Sequence, residues 1–337
     1  IEGKILTIDQ NADSGDVEHV KLESGQEIAG DFFIDCSGFR GLLIAQTLKT
    51  DFKNWSHWLP CNRAVAVPSE KNGEPVPYTR ASARSVGWQW RIPLRHRTGN
   101  GHVYCNDFMS EDEAAADLLM NLDGKPLANI NALRFTTGRR KQSWVKNCVA
   151  IGLSSGFLEP LESTSIYLIQ VAIMQLIEFF PSGKFDTEAR DEFNRQVTLE
   201  YERVRDFLIL HYHATTRDDS EFWNYCRTMK IPESLANKME LFRAQGAVER
   251  YTRGMFLEPS WVAVYVGQGI VPTAFHPVVN ALPTHELQTQ LRGMRELVAA
   301  EVNKMPSHAQ QLASFASAQK NSPSWPAAAM SLYEVFS

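Results

Sequence analysis

The spacing of apolar residues changes at Ser163, and that change marks the most informative stretch of the chain. Cys148 to Gly152 is a short apolar run bounded by small residues, the pattern of a buried strand. Ser154, Ser155 and Gly156 break the run and predict a loop. From Ser163 onward Ile166, Ile169, Ile173, Leu176, Ile177 and Phe180 recur three or four apart until Pro181, which predicts a helix. Gln170, Gln175 and Glu178 are its polar interruptions, so it reads as a buried helix, too short to span a membrane.

Upstream, residues 4–9, 17–22 and 26–38 read as strands, with turn residues Asn11, Asp13, Ser14 and Gly15, then Ser24 and Gly25, between them. Residues 55–108 read mostly as strands. In the segment GWQWRIP, Trp88, Trp90 and Ile92 alternate with Gln89 and Arg91, so both indoles share one face. That face reads equally as core filling or as a site wall, because large aromatics serve both. Residues 102–108 predict the next strand, and an Ala-rich helix follows from Glu111 through Leu119.

Beyond Pro181 the pattern is mostly helical. Phe193, Val197, Tyr201, Val204 and Leu208 give helical spacing from Thr187 to His211. Asp218 with Glu221 resembles a capping box, and Pro232 suits a first helical position. Residues 258–283 predict a rigid aromatic-lined loop, and an amphipathic helix returns from His285 to Lys304. The tail around Ser322, Pro323, Trp325 and Pro326 predicts irregular chain, then a short helix from Ala327. The fold class is therefore α+β or α/β, with residues 1–181 and 182–337 expected as two domains.

Composition narrows the classes of function. With 337 residues, 44% of them hydrophobic, the chain can bury a full core. A net charge of −5 without a basic block gives no support for a nucleic-acid partner. No secretory signal or spanning segment is evident, so no membrane partner is expected. Cys36, Cys61, Cys105, Cys148 and Cys226 are scattered and form no CxxC pair, which fits a reducing cytoplasm and argues against a zinc site. His211 and His213 lie two apart, facing different ways on a helix, so no metal is expected there. Arg134, Arg139, Arg140 and Lys141 form a local basic cluster, read as a solvated face.

The candidate chemistry lies at the predicted helix start. A helix N-terminus presents unpaired N–H groups and a partial positive charge, an anion pocket. Here it is lined by Glu162, Ser163, Thr164 and Ser165, with Pro160 stiffening the approach. The same residues also read as ordinary caps and a dipole complement.

The segment GFLEPLESTSI, residues 156–166, resembles the signature of flavin-dependent halogenases of the tryptophan-halogenase type. GWQWRIP (87–93) is similar to that family's WxWxIP motif. Residues 31–43, 58–64, 211–223 and 267–277 also resemble family blocks, in the family's order. The resemblance implies a two-dinucleotide-fold, FAD-dependent monooxygenase-like flavoprotein. Residues 1–181 would form the later part of a glutathione-reductase-like FAD domain, and a mostly helical C-terminal region would cover the substrate site.

The implied reaction is FADH2-dependent halogenation, with chloride or bromide, of an electron-rich, indole-like aromatic, by way of flavin hydroperoxide and hypohalous acid. A separate flavin reductase would supply FADH2, and a homodimer stays open. Glu162 would be the catalytic carboxylate, and Thr164 and Ser165 would bind halide. Gly152, Gly156, Phe157, Pro160, Leu161, Ser163 and Ile166 would line FAD, while Trp88 and Trp90 would stand on the substrate side. Glu159 is assigned to structure, and the basic cluster has FAD phosphates as its other reading.

Two departures stand out. Ser165 replaces the Gly of other family members, and no GxGxxG motif occurs, so the chain is expected to lack the N-terminal FAD-binding segment and the family's catalytic lysine. No clear match to the residues that grip free tryptophan is found, which favours an indole or phenol without the amino-acid group. The alternatives are a flavin-dependent aromatic hydroxylase and, from another class, a non-catalytic flavin-binding protein or inactive fragment.

Overall fold

The computed structural model describes residues 1–181 and 187–318. Its first strands are β1 (Ile5–Gln10), β2 (Val17–Leu22), β3 (Glu27–Ala29) and β4 (Phe33–Asp35). Then come β5 (Phe52–Asn54), β6 (Arg63–Ser69), β7 (Arg80–Ala83), β8 (Trp88–Pro93) and β9 (Thr98–Tyr104). The last are β10 (Asn131–Arg134), β11 (Gly138–Arg140), β12 (Trp144–Val145), β13 (Cys148–Ala150) and β14 (Gly156–Phe157).

The helices are α1 (Glu111–Met120), α2 (Thr164–Glu178), α3 (Thr187–His213) and α4 (Glu221–Thr228). They continue with α5 (Glu233–Gln245), α6 (Glu258–Gly267), α7 (Thr284–Lys304) and α8 (His308–Ala318). The closing helix expected from Ala327, and the irregular tail before it, lie outside the described residues. No helix among the described residues is long and apolar enough to cross a membrane.

The segment 26–38 is two strands rather than one. The chain leaves the β1–β2–β3 meander at Gly30, and β4 joins a second sheet, parallel to β13, with Ala150 opposite Asp35. Cys148, Val149 and Ala150 are all buried, as expected of a parallel strand covered on both faces. The largest sheet runs β10-β6-β9-β8-β7, with every neighbouring pair antiparallel. β9 begins earlier than the sequence predicts and ends at Tyr104, because Phe108 turns back to donate to the Cys105 carbonyl at 3.1 Å.

One core unites sheet and helices. Val65, Val103 and Trp88 from the large sheet join Phe193, Val197, Tyr201, Val204 and Leu208 of α3, so the predicted helical stripe is buried. Asn194 fixes α3 to β12: its Oδ1 accepts from the amides of Ser143 and Trp144, both at 2.9 Å, and its Nδ2 donates to the Trp144 carbonyl at 2.9 Å. Asn194→Ala strands those backbone groups in a buried place. It is expected to destabilise by about 2 kcal/mol, read as a lower denaturation midpoint in urea.

Other expectations are corrected by packing. α2 is helical as predicted but is not buried all round: Thr164, Leu168, Ala172 and Leu176 face the core, whereas Ile166, Ile173, Ile177 and Phe180 are exposed. The stripe four residues apart wins the core because α3 packs on that side. Arg139 does not belong to a solvated face. It is buried, donating to the carbonyls of Arg140 (2.8 Å) and Lys141 (3.1 Å) and to Glu202 (3.0 Å).

The cap of α4 is Ser220, whose hydroxyl accepts from the Trp223 amide, and not Asp218. Pro232 sits one position before α5, where its carbonyl accepts from Leu235 and Ala236 at 3.0 Å. The predicted loop over 258–283 opens instead with α6, whose Trp261 and Tyr265 are buried in the core.

Candidate active site

β4 and β13 end side by side, and Asp35 ties their exits together. Its carboxylate accepts from the Ser37 amide (2.9 Å), the Ser37 hydroxyl (2.6 Å) and the amides of Leu43 and Ile44 (2.9 Å each). Its own carbonyl accepts from the Ile151 amide at 3.1 Å and from the Ser154 hydroxyl. Four donors satisfy a carboxylate that is only 1% exposed. The loop after β13 is thereby fixed against the turn after β4.

From there the chain runs 3-10 turn, β14, a second 3-10 turn (Pro160–Glu162), then α2. β14 pairs with β11 so closely that a Cβ on Gly156 would stand 2.7 Å from the Gly138 carbonyl oxygen. Gly156 is therefore demanded by strand pairing. Phe157 is half-buried, edge-on against Phe39 (5.3 Å) and Phe135 (5.0 Å).

Ser163 joins the turn to α2 in the left-handed conformation (φ 54°, ψ 37°), an arrangement that costs a non-glycine residue about 1 kcal/mol. Its hydroxyl makes no capping hydrogen bond. The helix start therefore keeps first-turn N–H groups without a side-chain cap. Thr164 is fully buried, and its Oγ1 has no hydrogen-bond partner. Ser165, Pro160, Leu161 and Gly152 are half-buried, while Ser163 and Ile166 are exposed.

The two carboxylates of this segment differ sharply. Glu162 is about a third exposed (35%), and its Oε1 lies 2.9 Å from His211 Nε2. Glu159 is fully buried and accepts from the Tyr212 hydroxyl at 2.7 Å. Burial pushes its carboxyl up to about 7, against the opposing pull of Tyr212, then of Trp88 and His211. The Trp88 N–H favours the charged form through its proximity but makes no aligned hydrogen bond, and Glu159 Oε2 is likewise unpartnered. Cys61, 3.4 Å from the same tyrosine oxygen, is pushed well up by burial and is a thiol, not a nucleophile.

Trp88 and Trp90 do share a face, with ring centroids 6.0 Å apart. Trp88 is buried and meets the segment through Glu159, not Glu162. Trp90 lies across β9 opposite Gly101, where a Cβ would stand 2.0 Å from its ring. The flat indole thus needs a residue without a side chain beneath it.

His211, Tyr212 and Asp35 are the members that sequence reasoning missed. His211 and His213 drew attention only as metal candidates, and nothing local reveals that α3 passes behind residues 159–162. For Asp35 the available signal was its place at a strand end before Ser37 and Gly38.

Known proteins resemble this chain over most of its length. A family model described as tryptophan halogenase matches residues 1–284. The chain is 37% identical over 309 residues to tryptophan 7-halogenase KtzQ of Kutzneria sp. (strain 744), covering 86% of this chain and 57% of KtzQ. It is 38% identical over 310 residues to tryptophan 6-halogenase ThaL of Streptomyces albogriseolus, covering 86% and 57% respectively. Among solved structures, a flavin-dependent halogenase from Xanthomonas campestris superposes with a TM-score of 0.91 at 48% identity, over 93% of this chain and 63% of that one. BrvH, a flavin-dependent halogenase from Brevundimonas sp. BAL3, superposes at 0.90 with 47% identity, over 93% and 64%. The chain spans 57% of the length of the curated relatives KtzQ and ThaL.

Proposed function

The chain belongs to the tryptophan halogenase family and shares the mixed α/β fold of flavin-dependent halogenases, and from that premise we propose that the full-length protein halogenates an electron-rich, indole-like aromatic with chloride or bromide. Reduced FAD from a separate flavin reductase would drive it. The observation that carries the reading is the buried, partnerless hydroxyl of Thr164 at the uncapped start of α2, next to Glu162.

The residues present fit an anion and the ring end of a flavin. An orphaned hydroxyl and uncapped amides are the donors a halide takes. Phe39, Leu153 and Ile166 expose apolar surface on the segments that converge there, suiting a flat heteroaromatic ring. No Gly-rich pyrophosphate loop is among these residues. When bound, reduced FAD with dioxygen supplies the two-electron oxidation that converts halide to hypohalous acid.

The chain's own residues have narrower tasks. Thr164 and the amides of Thr164 and Ser165 hold the halide. Gly152, Phe157, Pro160, Leu161, Ser163 and Ile166 shape the ring pocket, while the Trp88 and Trp90 face bounds the substrate side. As the carbon–halogen bond forms, the ring carbon must lose its proton. Glu162 accepts that proton, and the C–H electron pair returns to the ring.

The test is product analysis with the full-length protein, a flavin reductase, FAD, and indole, a phenol or tryptophan, with and without halide. Halogenated product that depends on halide is expected. Oxygenated product regardless of halide would show a hydroxylase, and no product with any aromatic would defeat the proposal. Thr164→Val keeps the shape and removes the donor. It is expected to raise the halide KM on the order of 10-fold, since a hydrogen bond to a charged group contributes about 1.5–3 kcal/mol.

A further inference from the structure

His211 occupies a position in which both ring nitrogens are engaged. Its Nδ1 lies 2.8 Å from the carbonyl oxygen of Phe207, one turn earlier on α3. A backbone carbonyl only accepts, so Nδ1 carries the hydrogen. Nε2 lies 2.9 Å from Glu162 Oε1. A neutral ring with its hydrogen on Nδ1 would point a lone pair at a carboxylate oxygen. The contact at 2.9 Å therefore requires one more proton, on Nε2 or on the carboxyl.

The ring is also held from the side. Phe207 meets it edge-on at 4.9 Å, and the His211 carbonyl accepts from the Gln268 side chain at 3.2 Å. The next residue on α3, Tyr212, donates to Glu159 at 2.7 Å. Consecutive residues of one long helix thus grip Glu159, just before the turn at Pro160–Glu162, and Glu162, its last residue. Among the described residues, Glu162 and Glu159 are titratable groups that face His211.

We propose that His211 is a positioning residue for Glu162: it engages Oε1 through a shared proton and leaves Oε2 to meet the substrate. This rests on the reading of Glu162 as the carboxylate that takes the ring proton. The histidine touches neither halide nor ring. It acts by fixing the direction from which the carboxylate approaches, and a misplacement of about 1 Å at such a group can cost on the order of 100-fold.

Steady-state halogenation by the full-length protein tests it, with kcat and the KM values for halide and aromatic measured separately for His211→Leu, His211→Gln and Glu162→Gln. Leu removes the donor, whereas the Gln amide can donate to Glu162 from near the Nε2 position. The expected result is a loss in kcat of about 10- to 100-fold for His211→Leu, with both KM values within about two-fold of the parent, and recovery of most of that loss in His211→Gln. Parent-like kcat in His211→Leu overturns the proposal, as does an equal loss in both His211 variants with raised KM values. If Glu162→Gln is itself fully active, the reading of Glu162 fails and this inference falls with it. If Glu162→Gln is inactive and His211→Leu is not, only the inference falls.

Discussion

Glu162→Gln in the full-length protein is expected to lower kcat for halogenation by about 100- to 10,000-fold, the range over which general acid–base groups act. The amide keeps the size of the side chain, and its NH2 can donate to His211 Nε2, which lies 2.9 Å from Oε1 in the parent. What it loses is basicity. Halide binding, resting on Thr164 and the amides at the start of α2, should change little, so the loss should appear in kcat and not in the halide KM. Glu162→Ala should be at least as inactive. A Glu162→Gln variant with full turnover would place the proton acceptor elsewhere.

Glu159→Gln is expected to change how stability depends on pH. The carboxyl is fully buried and pushed from 4.5 up to about 7, chiefly by burial. Between those values the folded protein keeps a proton that the unfolded chain releases. The group therefore favours folding below pH 4.5 and progressively opposes it as pH rises, until the effect levels above about 7. At about 1.4 kcal/mol per unit, the interval corresponds to about 3 kcal/mol as an upper bound. Gln cannot ionise and can still accept from Tyr212. Relative to the parent, the variant should gain up to about 3 kcal/mol of stability on going from pH 4.5 to pH 8, measured by urea denaturation. An identical difference at both pH values would show that the carboxyl does not hold its proton as burial dictates.

The sequence was most legible where one residue type permits one geometry. Alternating apolar positions marked Trp88 and Trp90 as neighbours on a strand, and the change of spacing at Ser163 located the start of α2. Both readings rest on period, which survives without tertiary information. The burial of α2 was not legible. Its apolar residues encircle the helix, so composition could not tell the face packed on α3 from the face bearing Ile166, Ile173 and Ile177. The burial of Arg139 is not legible either, because its partner, Glu202, is supplied by a helix 63 residues away.

The candidate site shows the same division. Glu162, Thr164 and Ser165 lie within four residues, and the resemblance to halogenases named them. His211 and Tyr212 act across about fifty residues of chain, on acids that local pattern cannot pair with them. The sequence reads Glu159 as structural. Its immersion beside Tyr212 and Trp88 became visible only once three separate elements met.

If the proposed halide site is right, the bend at Ser163 governs how an incoming ion is met. A glycine there would relax the backbone and act as a swivel, whereas a serine held at φ 54° is a stiff knuckle. The fan of N–H groups ahead of the knuckle and the acid just behind it are carried as a single casting. Their aim is settled when the chain folds, and the proposed halide would meet it ready-made.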